Sequence, residues 1–195
     1  YTSELLANVS GGIEERADYR ADLSLELTLD TEVAKWWDNG TFFVHLQAQH
    51  GDGITETSVG DLQVLSNIDA DDYAQVSEFW YEQKFLDQKL RIKIGKQDAN
   101  SDFAFVEHGL EFINSSPGFS PTISLVTYPD QDFGIVIGLS PSPRFSINVG
   151  AYQGDPDGGR APSNTIRNLR GPMLMAEPAL HYKWRNLQGH LRAGV

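Results

Sequence analysis

The sequence predicts an all-β protein whose strands form an antiparallel transmembrane β-barrel. Three observations favour this class. Nine short segments alternate apolar and polar residues, the links between them are in turn short and long, and no apolar run approaches the roughly 18 residues that a membrane helix requires. Such strands need an apolar environment on one face and a polar or wet one on the other, as the strands of an outer-membrane barrel have.

The alternation locates the strands in order. The clearest example is the second strand, in which four leucines at every second position from Leu23 to Leu29 alternate with polar residues. A single helical turn is predicted within 31–39, before the Asn39-Gly40 pair. The predicted strands cover residues 3–10, 20–30, 41–49, 74–86, 89–97, 132–139, 144–152, 173–184 and 187–195.

The fourth and fifth strands form the best-defined hairpin. With Asp87 and Gln88 as a two-residue turn, the register of the two strands is determined. The expected cross-strand pairs are Phe85 with Leu90, Lys84 with Arg91, Glu82 with Lys93 and Trp80 with Gly95. One face is then apolar, and the other carries Glu78, Trp80, Glu82, Lys84, Arg91 and Lys93.

The links of different length lie at opposite ends of the predicted sheet. Short links follow the even-numbered strands, whereas the long links 50–72, 98–131 and 153–171 follow strands three, five and seven. Periplasmic turns and extracellular loops divide in this way, and Tyr182 and Trp184 beside a short turn suit an interfacial aromatic girdle. On pattern alone, a soluble β-sandwich or soluble barrel remains an alternative.

Composition limits the function classes. The net charge of -12 argues against nucleic acid as a partner, because phosphate binding requires a basic surface, and the absence of cysteine excludes disulfides and thiolate metal sites. The acidic run from Asp69 to Asp72 lacks the spacing of a calcium loop, so a solvated acidic loop is expected there. No nucleophile elbow, phosphate loop or zinc motif is present, and we expect neither a cofactor nor a metal.

Several blocks, in chain order, resemble a known family. They are Leu5-Leu6-Ala7-Asn8-Val9-Ser10-Gly11-Gly12, Gly40-Thr41-Phe42-Phe43-Val44, Val59-Gly60-Asp61-Leu62-Gln63 with Ser66-Asn67-Ile68, Trp80-Tyr81-Glu82-Gln83, Gly95-Lys96-Gln97-Asp98-Ala99-Asn100-Ser101-Asp102-Phe103, Phe112-Ile113-Asn114-Ser115-Ser116 and Tyr152-Gln153-Gly154-Asp155-Pro156. Together they resemble the carbohydrate-selective porins (OprB family) of Gram-negative outer membranes. Each block alone is weakly specific, but the occurrence of all of them in the same order over most of the chain is fairly specific.

The resemblance implies a sixteen-stranded barrel in the cell outer membrane that passes small neutral sugars by diffusion. The chain departs from that pattern, because only about nine strands fit and Val195 stops inside an apparent strand without a terminal aromatic residue. We therefore expect residues 1–195 to form a single domain that is the N-terminal portion of a porin barrel. Outer-membrane lipid is an expected partner. A homotrimer is compatible with the resemblance, although the sequence displays no contact surface for it.

The polar face of the fourth and fifth strands is the first candidate for pore-lining, substrate-binding residues. Its basic side chains can donate hydrogen bonds to sugar hydroxyls, Glu78 and Glu82 can accept them, and Trp80 offers a flat apolar ring. The same charges can instead pair with one another and only keep the lumen hydrated. The second candidate is the 98–131 loop, where four phenylalanines (Phe103, Phe105, Phe112 and Phe119) favour packing into the lumen over a solvated surface loop. A loop folded over the barrel mouth is an equal alternative.

Two other functions compete with a diffusion pore. A secreted carbohydrate-binding or glycan-processing β-protein would use Glu78 and Glu82 as an acid–base pair. Carboxylates at these positions lie about 13 Å apart along one strand face, beyond the roughly 6.5–9.5 Å of an inverting glycosidase, so we expect no enzymatic activity. A structural outer-membrane protein with a plugged lumen is the third possibility.

Overall fold

A computed structural model of the chain describes residues 1–109, 112–114, 117–118, 125–154 and 171–194. Its nine strands form one antiparallel sheet in which each strand is hydrogen-bonded to its neighbours in chain order. Among the residues in those ranges, no helix is both long and apolar enough to cross a membrane. The all-β, antiparallel prediction is confirmed.

The strands follow the predicted alternation closely. They are β1 (Thr2–Asn8), β2 (Arg16–Asp30), β3 (Gly40–Gly51), β4 (Tyr73–Phe85), β5 (Leu90–Gln97), β6 (Asp132–Ser142), β7 (Phe145–Gln153), β8 (Pro172–Trp184) and β9 (Leu187–Arg192). A π-helical turn covers Thr55–Val59, and two 3-10 turns cover Ala99–Ser101 and Glu107–Gly109. The predicted loop 153–171 falls largely on 155–170, which lie outside the described residues.

Several strand ends differ from the prediction, and the largest difference is at β2. Strand β2 begins at Arg16 rather than near residue 20, because the charged stretch before Tyr19 pairs with β1 in register, Ala17 opposite Ala7 and Tyr19 opposite Leu5. The alternation continues back through Ala17, Tyr19 and Ala21, but these residues mark an apolar face less clearly than the leucines that follow, so the predicted strand starts too late. The segment 31–39 contains one helical hydrogen bond, from the Ala34 N–H to the Asp30 carbonyl at 3.0 Å, but continues as turns rather than as a helix.

The apolar face of the strands is exposed rather than packed into a core. Leu25 is 62% exposed, and the half-buried Ile92 and Ile147 do not belong to the buried cluster of the structure. A face of this kind satisfies its apolar side chains only against lipid or another apolar surface. The exposed side chains on it include Leu23, Leu25, Leu27, Ile94, Ile135, Ile137, Leu139, Val149, Leu174, Leu180, Tyr182 and Trp184.

Aromatic side chains gather beside the short links. Trp37 donates from its indole Nε1 to the Tyr81 hydroxyl at 2.9 Å, and its ring meets Phe42 edge to face. Trp36, Trp37, Tyr182 and Trp184 are all exposed. Rings with an apolar body and a polar tip at the ends of the strands fit the membrane–water interface, as the sequence predicts for Tyr182 and Trp184.

The described residues group into two compact units, one formed by 1–25, 45–76 and 105–124, the other by 26–44, 77–104 and 125–195. In the first unit, Arg20 is only 2% exposed and pairs with Asp69 in the long β3–β4 loop at 2.6 Å. The Arg20 guanidinium also donates to the Ile68 carbonyl at 2.9 Å. This ion pair fixes the end of the loop to the polar face of β2.

The second unit contains a small buried cluster on the polar side of its strands. Its members are Ala99, Phe103, Val126, Val136 and Tyr152, with Met173 and Met175 packed against them. Ala99 and Phe103 come from the segment that follows β5, so this cluster holds an irregular segment against the strands.

Candidate functional site: the polar face of β4 and β5

The six sequence-predicted residues lie on one face of the β4–β5 hairpin. The register is the predicted one, with Lys84 opposite Arg91, Glu82 opposite Lys93 and Trp80 opposite Gly95. Three positive-φ residues from Leu86 to Gln88 close the turn. The alternation of the strands therefore places all six side chains together, as expected.

Asp102 is the acid that connects the basic residues of this face. Arg91 donates to Asp102 Oδ1 at 2.6 Å and to Glu82 Oε2 at 3.2 Å. The Lys93 ammonium forms an ion pair with the same Asp102 and lies 3.3 Å from the Ser101 hydroxyl. The side chains of Lys93 and Asp102 are each 5% exposed, whereas that of Arg91 is 23% exposed.

Lys84 completes the charged row at the hairpin end. Its ammonium lies 3.7 Å from Glu82 Oε1, and its side chain is 40% exposed. Arg91 and Lys84 therefore offer donors to the solvent side of this face, while Lys93 is enclosed. The mixed-charge cluster predicted around Glu82 is present, with Asp102 as an additional member.

Trp80 is packed among neighbours. Its ring is stacked with Phe43, with centroids 4.9 Å apart and planes at 23°. The Lys93 Nζ lies 5.2 Å from the centroid of the Trp80 ring, and the Trp80 Nε1 donates to Glu78 Oε2 at 3.3 Å. A sugar ring that stacked on Trp80 would compete with Phe43 and Lys93 for the indole.

The segment 98–104, here called the inner segment, doubles back along the polar face. Phe103 is 1% exposed, and its ring meets Tyr152 edge to face at 6.1 Å. Asn148 on β7 donates from Nδ2 to the Asp102 carbonyl at 3.0 Å. The Ala104 N–H donates to Glu177 Oε2 on β8 at 2.7 Å. Polar contacts from β7 and β8 therefore hold the inner segment against the strands, in addition to the ion pairs of Asp102 with β5.

Glycines on β6 and β7 make room for these contacts. A Cβ at Gly150 would lie 2.8 Å from the Phe103 ring, and one at Gly138 would lie 2.9 Å from Asn148 Oδ1 and 3.1 Å from Arg91 Nε. Both glycines are on the polar face, where Gly150 is opposite Val136 and Gly138 is opposite Asn148. Any larger residue would push Phe103 or Arg91 away from the sheet.

Asp98 begins the inner segment and caps its 3-10 turn. Its side chain accepts from the Asn100 N–H at 2.7 Å, and its own N–H donates to Glu78 Oε2 at 3.1 Å. Burial raises the pKa of the Asp98 carboxyl to about 6, and the negative charge of Glu78 acts in the same direction. Glu78 thus anchors the start of the inner segment as well as the Trp80 indole.

The phenylalanines of the long 98–131 loop have different environments. Phe103 packs inward as predicted, but Phe112 is 55% exposed, and Phe119 lies outside the described residues. The inward packing expected from their apolar character is therefore correct for Phe103 and wrong for Phe112. An apolar residue in a loop does not by itself specify which neighbours it will find.

In the acidic loop before β4, Asp71 and Asp72 are exposed to solvent as expected, whereas the Asp69 side chain is largely buried. Asp69 pairs with Arg20 and with the Thr55 hydroxyl, and Asp72 accepts from the Gly51 N–H at 2.8 Å. That hydrogen bond, with a second one from His50, lowers the pKa of the Asp72 carboxyl. Over the ranges that the structure describes, no group of three or more His, Asp or Glu side chains is arranged to hold a metal ion.

Sequence reasoning missed Asp102, Asn148 and Glu177. Asn148 and Glu177 occupy polar-face positions of β7 and β8, in register with each other, so the alternation could have included them. Asp102 follows no strand period, and only the structure brings it to Arg91 and Lys93. The described residues of the site form a wall of hydrogen-bond donors and acceptors, which suits reversible contact with polar solutes.

Comparisons with known proteins agree with this geometry. The model of the family "Carbohydrate-selective porin, OprB family" matches residues 14–195. "Porin B" of Pseudomonas aeruginosa is 21% identical over an alignment of 167 residues, and the match covers 80% of this chain and 37% of that protein. A solved structure, "High pH structure of Pseudomonas putida OprB", matches with a TM-score of 0.84 at 20% identity, covering 98% of this chain and 49% of that one.

These matches establish the fold and the family. The chain spans about half or less of the length of the proteins it matches, so they have further sequence with no counterpart here. The all-β porin fold is common to this chain and to the solved structure. The chain belongs to the carbohydrate-selective porins of the OprB family, which are proteins of the Gram-negative outer membrane.

Proposed function

We propose that this chain forms part of a passive diffusion pathway for small neutral sugars across the outer membrane. Family membership supports a channel rather than an enzyme and supports carbohydrate as the solute class. The observation that carries the proposal is the position of Arg91. It is partly exposed on the polar face, and Asp102 and Glu82 hold it in place with its remaining surface toward solvent.

A fixed guanidinium suits neutral sugars for a physical reason. Arg91 has five N–H donors, and its two acidic partners hold the side chain without using all of them. Sugar hydroxyls can both accept from Arg91 and donate to Glu82. Because Asp102 and Glu82 balance Arg91 and Lys93 in charge, the wall is polar without a strong net field, which favours uncharged solutes.

The six predicted residues take different parts in this proposal. Arg91, Lys84 and Glu82 contact the sugar. Lys93 is enclosed and acts through Asp102, Glu78 anchors the inner segment, and Trp80 supports the wall through its stack with Phe43. The apolar face contacts outer-membrane lipid, residues 1–195 form the N-terminal portion of one barrel domain, and assembly into a homotrimer stays a prediction.

The test uses the full-length porin reconstituted into liposomes and planar bilayers. A charged hydrogen bond contributes about 1.5–3 kcal/mol, so Arg91→Ala should weaken sugar binding in the pore roughly tenfold. Sugar-induced current noise measures that affinity, and liposome swelling measures the flux of a monosaccharide against that of an uncharged non-sugar of similar size. Lys93→Ala should give a smaller effect on affinity, since Lys93 is enclosed.

Lys89→Ala is the matched control. Lys89 lies in the β4–β5 turn, so this variant removes one positive charge without changing the wall. If Arg91→Ala and Lys89→Ala have equal sugar affinity and equal sugar flux, the assignment of Arg91 is wrong.

A further inference from the structure

Two histidines face each other across β8 and β9. His181 is directly opposite His190 in the register, and their ring centroids lie 6.3 Å apart with planes at 55°. Both side chains are exposed. Nothing in the diffusion of a neutral sugar requires this pair.

The backbone pattern brings these two side chains as close as a sheet allows. The Ala193 N–H donates to the Pro178 carbonyl, so the hydrogen-bonded pairs between β8 and β9 fall at Pro178 and at every second residue after it. The His181 N–H points the other way and donates to the Arg144 carbonyl at 2.9 Å. His181 and His190 are therefore a non-hydrogen-bonded pair, in which the Cα atoms are about 4.5 Å apart and the side chains closest.

The pair lies on the polar face of the strands. Leu180 and Tyr182, the neighbours of His181, belong to the exposed apolar face, so His181 projects to the opposite side. On that side, the Ser146 hydroxyl of β7 lies 2.9 Å from His181 Nε2. This contact restrains the ring of His181 and leaves Nδ1 as its second nitrogen.

We propose that His181 and His190 form a binding site for a divalent transition-metal ion such as Cu²⁺, Ni²⁺ or Zn²⁺. A metal about 2.1 Å from one nitrogen of each ring requires those nitrogens to be roughly 3.4 Å apart in tetrahedral geometry. At the centroid separation of 6.3 Å a ring flip alone leaves the nitrogens too far apart, so the exposed His190 side chain must also turn about χ1 to bring its ring closer. When the Nε2–H of His181 donates a hydrogen bond to the Ser146 hydroxyl, Nδ1 carries the lone pair, which is the arrangement in which a neighbour orients a metal-binding histidine.

The charges around the pair define what the site can hold. Lys183, Arg144 and Arg192 lie nearby, and Arg192 is paired with Glu177 at 3.4 Å. These positive side chains repel metal ions that are held mainly by charge, such as Ca²⁺ and Mg²⁺. A transition metal can still bind, because its coordinate bonds to imidazole nitrogen do not depend on negative charge. Water or a small anion completes the coordination, because within the described ranges no third His, Asp or Glu joins the two rings.

The experiment uses the full-length porin in detergent, purified without a polyhistidine tag. CuCl2 titrated alone is followed by calorimetry and by electron paramagnetic resonance, which counts nitrogen ligands. We expect one ion with two nitrogen ligands, bound in the order Cu²⁺ over Ni²⁺ over Mn²⁺ and not displaced by excess Mg²⁺. His181→Gln and His190→Gln should each weaken binding at least tenfold and remove the two-nitrogen signal.

Two further variants make the result specific. His108→Gln removes an exposed histidine that lies elsewhere and should leave affinity and spectrum unchanged. Ser146→Ala should weaken binding by about tenfold and keep both nitrogen ligands, because it removes only the orienting contact. Unchanged binding in either His181→Gln or His190→Gln, or displacement of Cu²⁺ by Mg²⁺, would overturn the site.

Discussion

Replacing Asp102 by Asn tests how the inner segment is held. Asp102 accepts from Arg91 and pairs with Lys93, and Asn keeps its size while removing its charge. Arg91 retains Glu82 at 3.2 Å. Lys93 retains the Ser101 hydroxyl at 3.3 Å and the Trp80 ring at 5.2 Å, so most of the cost falls on the buried ammonium.

The structure gives the magnitude of this effect. Removing one partner of a buried ion pair costs about 3–5 kcal/mol, because the other charge stays buried and unpaired. The side chains of Lys93 and Asp102 are each 5% exposed, so solvent screening reduces this free-energy cost only slightly. At the lower limit of about 3 kcal/mol, the population in which the inner segment has left the strands rises on the order of 100-fold.

Hydrogen–deuterium exchange of the full-length porin measures that population. Amides of the inner segment should exchange on the order of 100-fold faster in Asp102→Asn, while amides of β4 and β5 change little. In planar bilayers under a KCl gradient, the reversal potential should shift toward anion selectivity, since one negative charge leaves the polar wall.

Asp71→Asn is the matched control, because Asp71 is exposed in the long β3–β4 loop and loses the same charge. It should leave exchange in the inner segment unchanged. Equal exchange in Asp102→Asn and wild type, or a shift toward cation selectivity, would refute the ion-pair account of the inner segment.

Three further predictions concern other contacts. Gly150→Ala should displace the Phe103 ring, which lies 2.8 Å from the added Cβ, and change single-channel conductance, whereas Gly118→Ala, with its nearest neighbour at 3.6 Å, should not. Burial raises the pKa of Asp98 to about 6, so its contribution to the stability of the fold is complete below about pH 4 and is lost as the pH rises through 6. Asp98→Asn should therefore flatten the fall in melting temperature between pH 4 and pH 8. Asp69→Asn should leave the buried Arg20 with only the more distant Glu4, at 3.9 Å, as its acid and expose the β3–β4 loop to limited proteolysis, whereas Asp61→Asn should not.

The sequence predicts the strands well because each strand of a membrane sheet repeats one simple rule. Alternation alone locates β4 and β5, and the short turn at Asp87-Gln88 then determines their register, so that Glu82 and Lys93 are correctly paired. The predicted strand is too short at the start of β2, although the alternation continues there with Ala17, Tyr19 and Ala21 on the face of the leucines. Alanine and tyrosine mark that face less clearly than leucine, and the pairing of this part with β1 becomes evident only from the neighbouring strand.

The interior of the site is less predictable because it depends on contacts distant in sequence. The six polar-face residues follow from alternation, yet their partners Asp102 and Asn148 are 11 and 57 residues from Arg91. Gly138 and Gly150 matter only because Arg91 and Phe103 lie over them, which a single sequence does not show. Contact of the six residues with sugar stays a prediction.

The central claim is that the leucine face of β2 meets lipid while the alternate face meets water. Residues 1–195 contain no cysteine, so in a full-length porin from which any other cysteine has been removed, single cysteines at positions 24 to 27 can each carry one spin label in a lipid bilayer. Labels at Leu25 and Leu27 should collide with dissolved oxygen, and labels at Ser24 and Glu26 with a water-soluble nickel chelate. Equal accessibility at all four positions, or the reverse alternation, would contradict the account.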